Sequence, residues 1–533
     1  MKIELLDCTL RDGGYHNDWN FGHNTLINVT ERVVSAGVDF MELGFLDQRR
    51  PFDINRSIMP DTECMRKIYG KVDSKQTKFV GMIDYGTCDI SNIQPCSESF
   101  LDGIRVIFKK HLREPAMQLC KQLKDLGYIV FSQLVSITSY TDEELMDLVR
   151  LVNEVKPYAV SMVDTYGLLH SSGLFHFYEI LDKYVDSSVA LGYHSHNNFQ
   201  LGYANSIELI NHHKGKERTL LCDGSLFGMG KGAGNAPIEL LCMYMNDNYG
   251  KHYQLSQLLE AIDTTIMDLF NKYHWGYSMK PFIAASNDCH PNYVSYLLDK
   301  KTLSVKSINE ILCQLQGDKK LLYDKNYIEQ LYIDYQKNTL NDDSVYTELK
   351  KLFANKKILV IGPGKTIDTQ AETIGNFIKK EQPFVISINF IPEKFNTKAI
   401  FLTNSKRYNQ QVTAITERKN ELQLIATSNL TRTNGDFDYT LDYESLIDRS
   451  APFMDNSFLM MLKVLMRAGV TEVALAGLDG YSSANESNYF MSQMEYEFLK
   501  QKGEDIMADV NKNLQSFKGK ISLNFITPTL YRY

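Results

Sequence analysis

The first half of the chain repeats one pattern. Short apolar, β-rich runs recur as "KIELLDCT", "VDFMELGF", "KFVGMID", "GIRVIFK", "YIVFSQLV", "YAVSMVD", "VALGYHSH" and "TLLCDGSLF". They are spaced roughly 25 to 40 residues apart, about one crossover unit each. Between several of them lie stretches of helical periodicity, such as "NTLINVTERVVSAG" and "DEELMDLVRLVNEV", with Gly37 and Gly127 where a helix would stop. Eight strands alternating with helices over this length predict a (β/α)8 barrel. The rival, a doubly wound sheet, rarely needs so many regular units.

A barrel places its active site at the C-terminal ends of its strands. Polar residues collect there: Arg11 and Asp12 after the first run, then Glu42, Asp84, Arg105, Gln133 and Asp164, and His194 with His196 on the seventh. Turn chemistry accounts for one or two of these. Two arginines, several carboxylates and two histidines at one end imply a site, and Glu42, Asp84, Arg105, Gln133 and Asp164 become candidate substrate-binding residues.

His194 and His196 are two apart and so share a strand face. With Asp12 arriving from the first strand they are a candidate facial site for a divalent metal. The eighth run leads into "GMGKGAGNAPIELL", residues 228–241, where four glycines in seven positions allow positive φ and close approach to a ligand. Asn235 then stands where it either caps the next helix or offers an oxygen to the metal. The loop does not continue into a dinucleotide fingerprint or a P-loop.

"DCTLRDGG", "YHSHNN" and "GMGKGAGNAPIE", in this order, resemble the DRE-TIM metallolyases, the HMG-CoA lyase-like superfamily. The resemblance covers about residues 1–300 and is nearest the 4-hydroxy-2-oxovalerate aldolase branch. It implies a class II aldolase acting on pyruvate or a related 2-oxo acid and an aldehyde. Asp12, His194, His196 and Asn235 would hold the cation, Mn2+ or Mg2+ first, with Co2+ or Zn2+ as alternatives. Arg11 would face the developing oxyanion. An acyl-CoA-dependent synthase or lyase, and a barrel that serves only as a scaffold, are the alternatives. In the aldolase branch a histidine transfers the proton at the position that is Tyr15 here, so Tyr15, His16 and a metal-bound water are the candidates for that role. A later segment, "HWGYSMKPFIAASNDCHPNYVSYLL", supplies His290 and Tyr293 as a candidate substrate wall.

Composition narrows the remaining possibilities. A net charge of -8 on 533 residues gives no electrostatic reason to expect nucleic acid or an anionic membrane. No apolar run approaches a membrane span, and Met1 leads into a strand rather than a signal segment. Nine cysteines without close pairing read as reduced thiols, and the expected compartment is the cytoplasm. A homo-oligomer is compatible with all of this.

The expected division is a barrel over 1–252, a helical extension completing the active site over 253–350, and a second domain over 351–533. In the last, "KKILVIGPGKTI" is a strand entering a glycine turn, and strands alternate with helices thereafter, which predicts a Rossmann-like open α/β sheet. A nucleotide or sugar phosphate near Gly362, Gly364, Lys365, Asn404 and Asp479 is the candidate ligand. A structural or docking domain is the alternative.

Overall fold

The structure, a computed structural model, describes residues 2–300, 303–320, 322–433, 437–449, 451, 454–482, 488–490 and 497–533. It divides into two compact units, Met1–Pro291 and Asn292–Tyr533. The division falls inside the segment 253–350 that the sequence groups as one extension.

The first unit is a closed barrel of eight parallel strands: β1 (Lys2–Asp7), β2 (Phe40–Leu46), β3 (Lys78–Asp84), β4 (Gly103–Phe108), β5 (Ile129–Leu134), β6 (Ala159–Asp164), β7 (Ala190–Ser195) and β8 (Thr219–Gly224). Each pairs with its sequence neighbour, and β1 closes the ring by pairing with both β2 and β8. All eight correspond to the runs in the sequence. Strands such as β2, β6 and β7 are buried along their whole length, because helices cover them outside and side chains fill the interior. The helix His23–Ala36 turns Leu26, Val29, Val33 and Val34 inward and stops at Gly37, whose φ of 81° is left-handed. Thr141 and Glu144 close a capping box at the start of Asp142–Val155.

The interior is layered. Leu6, Phe40, Val80, Phe131, Ala159, Ala190 and Leu221 form an apolar plug. Two residues further along the same strands, still on the inward face, stand Glu42, Gln133, Ser161 and Asp223. The alternation of the strands therefore sets a polar layer directly on an apolar one.

The second unit begins with helices that include Val305–Leu312, Lys325–Gln336 and Asp343–Phe353. An open parallel sheet follows: β9 (Ile358–Ile361), β10 (Phe384–Ile388), β11 (Ala399–Leu402), β12 (Gln423–Thr427), β13 (Tyr439–Leu441), β14 (Glu472–Ala476) and β15 (Ser522–Phe525). The strand order is β13-β12-β11-β10-β9-β14-β15, so the direction of winding reverses between β9 and β14.

Candidate metal centre at the barrel mouth

β1 ends at Asp7, earlier than the apolar run suggests, and a helical turn, Thr9–Asp12, carries Arg11 and Asp12 across the mouth. Asp7 accepts from the Thr9 hydroxyl (2.8 Å), and Thr9 Oγ1 accepts from the Leu226 amide (2.8 Å), which ties this turn to the loop after β8. His194 is on β7. His196 lies just beyond it, bridged through the backbone to Asn235. Asp12, His194 and His196 offer ligand atoms that all lie within 4.8 Å of one another, the one such cluster among the described residues.

A buried ionic layer holds this cluster from below. Arg11 donates through Nε to Glu42 (2.7 Å) and also pairs with Asp12. Arg105 reaches the same Glu42 oxygen (3.1 Å), donates to Gln133 Oε1 (3.0 Å) and pairs with Asp223. His194 Nδ1 donates to Asp223 (2.9 Å), which in the neutral ring places the proton on Nδ1 and leaves the Nε2 lone pair for a metal. The side chains of Glu42, Arg105 and Asp223 are at most 1% exposed. Glu42, Arg105 and Gln133, read from the sequence as substrate contacts, are thus bonded to one another and to the residues that position the cluster. Asp223, which the sequence reading passed over, completes the layer.

The donor atoms suit a divalent cation. Burial opposes ionisation of Asp12, yet the Arg11 guanidinium beside it holds its carboxyl well below the usual range. Burial pushes the His196 imidazole down to about 3, so it stays neutral and able to ligate. His196 Nδ1 and Asn235 Oδ1 are buried with no hydrogen-bond partner, an arrangement that costs free energy unless something is bound there. Asn235 meanwhile donates through Nδ2 to Asp12 Oδ2 (2.9 Å).

The glycine loop is shaped by crowding as much as by backbone freedom. Gly234 has φ of 85°, but Gly230 does not need a left-handed backbone. A Cβ at Gly230 would lie 2.4 Å from Asn235 Nδ2 and 2.6 Å from Asp12 Oδ2. At Gly14 a Cβ would strike the Trp19 ring, so this glycine makes room for packing. Lys231, also unremarked in the sequence, donates its amide to Asp12 Oδ2 (3.0 Å) and holds its ammonium 5.3 Å from the Tyr15 ring centroid.

The remaining candidates divide. His16 Nε2 donates to the Gly230 carbonyl (2.7 Å) beneath Trp275, leaving Nδ1 unprotonated in the neutral ring. Tyr15 is 43% exposed at the rim. Asp84 is exposed at the end of β3. Asp164 spends its carboxylate on the amides of Leu168 (2.9 Å) and Leu169 (3.1 Å), holding the loop after β6. His290 closes the first unit, whereas Tyr293 belongs to the second, where its buried hydroxyl lies 2.7 Å from the Lys319 carbonyl.

In the second unit, Gly362, Gly364 and Asp479 stand at the reversal of strand order, where open α/β sheets bind ligands. Here the Asp479 carboxylate takes the Thr366 amide (2.8 Å) and hydroxyl, and Gly364 has no Cβ because that carboxylate would meet it. The Thr366 amide at this turn is thus taken by the chain's own carboxylate. Asn404 caps the helix Ser405–Glu417 by accepting from the Arg407 amide (2.9 Å), and Lys365 is exposed.

Residues 2–265 match the HMGL-like family. The barrel belongs to that family. A 4-hydroxy-2-oxovalerate aldolase from Rhodococcus jostii is 24% identical over 274 residues, covering 51% of this chain and 75% of the relative. A 2-isopropylmalate synthase from Sulfolobus acidocaldarius is 26% identical over 254 residues, 47% of this chain and 63% of that enzyme. Among solved structures, the N-terminal domain of a candidate aldolase from Bacteroides vulgatus aligns with a TM-score of 0.47 at 25% identity, covering 58% of this chain and 99% of that one. The two curated relatives align with about half of this chain, which continues well beyond the matched region. The HMGL-like assignment makes the barrel one of a metal-dependent lyase and aldolase family.

Proposed function

We propose that the barrel is a class II aldolase that makes or cleaves a carbon–carbon bond beside the keto group of pyruvate or a related 2-oxo acid, with an aldehyde as the other partner. The observation that carries this reading is the Asp12–His194–His196 cluster placed next to a buried arginine, Arg11, that Glu42 holds in place. When bound, a divalent cation supplies Lewis-acid stabilisation to the enolate oxygen of the 2-oxo acid. Asp12, His194 and His196 would hold it, with Asn235 Oδ1 available to complete the set. A carboxylate and an amide oxygen beside two imidazoles suit Mn2+ or Mg2+, with Co2+ and Zn2+ as competitors.

Arg11 presents a fixed positive charge to the oxyanion, and the Glu42 bond keeps the guanidinium oriented before substrate arrives. His16 is the proton-transfer group. Its Nε2–H is committed to the Gly230 carbonyl, which leaves Nδ1 as the base. Trp275 lies over His16, its indole donating to the Phe227 carbonyl (2.9 Å), and shields this side of the mouth from water. All nine cysteines are free thiols, which fits a reducing compartment such as the cytoplasm.

The test is proton exchange. Protein loaded with Mn2+ and incubated with pyruvate in heavy water should lose the methyl proton signal, and His194→Ala should lose exchange and bound metal together. Exchange into acetyl-CoA and not pyruvate would move the reading to an acyl-CoA synthase, and exchange into neither would leave a scaffold.

A further inference from the structure

The charges around the mouth bear on the second substrate. In the buried layer three carboxylates, Asp12, Glu42 and Asp223, face two guanidiniums, Arg11 and Arg105. A divalent cation turns that single negative surplus into a single positive one, and the carboxylate of a 2-oxo acid cancels it. The layer and the first substrate together are then neutral.

The rim above is not. The backbone of Lys231 is bonded to Asp12, so its ammonium lies within one side-chain length of the metal cluster, over the face of Tyr15. Among the described residues Lys231 is in no ion pair. Lys109, the first residue after β4, acts electrostatically on the same Asp84 and His290 that Lys231 does. Arg49 is neutralised by Asp47, with contacts of 2.8 and 2.6 Å. Burial, with Lys231 and Lys109 nearby, pushes His290 down to about 4, so it adds no charge near neutrality. Two lysines facing the single carboxylate of Asp84 leave one positive charge without a partner. Lys231 is only half-exposed, so its ammonium is less fully solvated than one on the open surface. A cation left in such a place gains most when a ligand brings the opposite charge.

Resting on the aldolase reading, we infer that the aldehyde carries its own anionic group, a carboxylate or a phosphate, and that Lys231 is the residue that selects it. The experiment compares kcat/KM, with pyruvate as donor and Mn2+ bound, for succinic semialdehyde and glycolaldehyde phosphate against the uncharged butanal. The wild-type enzyme should prefer at least one anionic aldehyde by about tenfold or more, the scale of one charge-assisted hydrogen bond, and the preferred arm identifies the anion. Lys231→Met should bring that ratio close to one, and Lys231→Arg should keep most of it. Any general loss of activity cancels in the ratio. An equal preference in the wild-type enzyme, or a ratio that survives in Lys231→Met, overturns the inference alone. A wild-type enzyme that fails to exchange pyruvate protons overturns the aldolase reading and takes this inference with it.

Discussion

His194 donates through Nδ1 to Asp223 at 2.9 Å, and the same carboxylate oxygen is paired with Arg105. A cluster histidine is therefore oriented by an acid that is itself held in place by a buried guanidinium. Carboxylates in this position fix the ring and raise its basicity. Asp223→Ala should weaken Mn2+ binding by about 10- to 100-fold, measured by equilibrium dialysis. Unchanged affinity would remove Asp223 from any part in the centre.

Glu42 bridges Arg11 and Arg105 with no exposure of its own side chain. Glu42→Gln removes the charge between two buried cations, and breaking such pairs costs about 3–5 kcal/mol. Urea unfolding should show a loss of that order. A loss below about 1 kcal/mol would mean that solvent or a rearranged side chain compensates.

Gly230 sits against Asp12 and Asn235 without needing a left-handed backbone. Gly230→Ala should therefore act by steric displacement of the carboxylate and not by backbone strain. The expected result is a folded protein, by circular dichroism, that no longer retains Mn2+ through gel filtration. Full retention would show that the loop shifts at little cost.

His16 and Tyr15 make different predictions for proton transfer. His16→Ala should slow pyruvate proton exchange by about 10²- to 10⁴-fold, and Tyr15→Phe by less than about tenfold. The reverse order, read by proton NMR in heavy water, would transfer the role to Tyr15.

Asp7 lies under the Thr9–Asp12 turn, and burial pushes its carboxyl up to about 7, against hydrogen bonds from Thr9 that lower it. An unfolded aspartate titrates near 4. Between those values the folded state holds a proton that the unfolded state has released, so stability falls as pH rises from about 4 to about 7. Asp7→Asn keeps an acceptor for Thr9 and abolishes this titration. Urea unfolding from pH 5 to 8 should show a flatter pH dependence in the variant, and identical slopes would contradict the assignment.

The barrel was legible in the sequence because periodicity is a local property. Each strand needs apolar residues on its outward face to meet a helix, and each helix needs an apolar stripe to meet the strand, so Met41, Ile104 and Leu191 announce themselves without their neighbours. The cluster was legible for a related reason. Asp12, His194 and His196 belong to short strings with a recognisable order. Asp223 was not, because one carboxylate before a glycine in "TLLCDGSLF" looks like turn chemistry until the sheet closes and sets it beside His194 and Arg105. Lys231 was hidden for the same reason, inside a loop that drew notice only for its glycines.

In the second half the strands were again legible, while the use of the glycine turn was not. The residues around "GPGKT" are candidates for a nucleotide or sugar phosphate, and the fold sets the Asp479 carboxylate, more than a hundred residues away in the chain, on the Thr366 amide there. The amino-acid order alone determined the element types and the alternation that stacks polar residues on apolar ones, since these depend on neighbours a few positions apart. Only the tertiary structure decided which charges pair, since Arg11, Glu42, Arg105 and Asp223 come from four different strands or their ends and meet only once the barrel has closed around them.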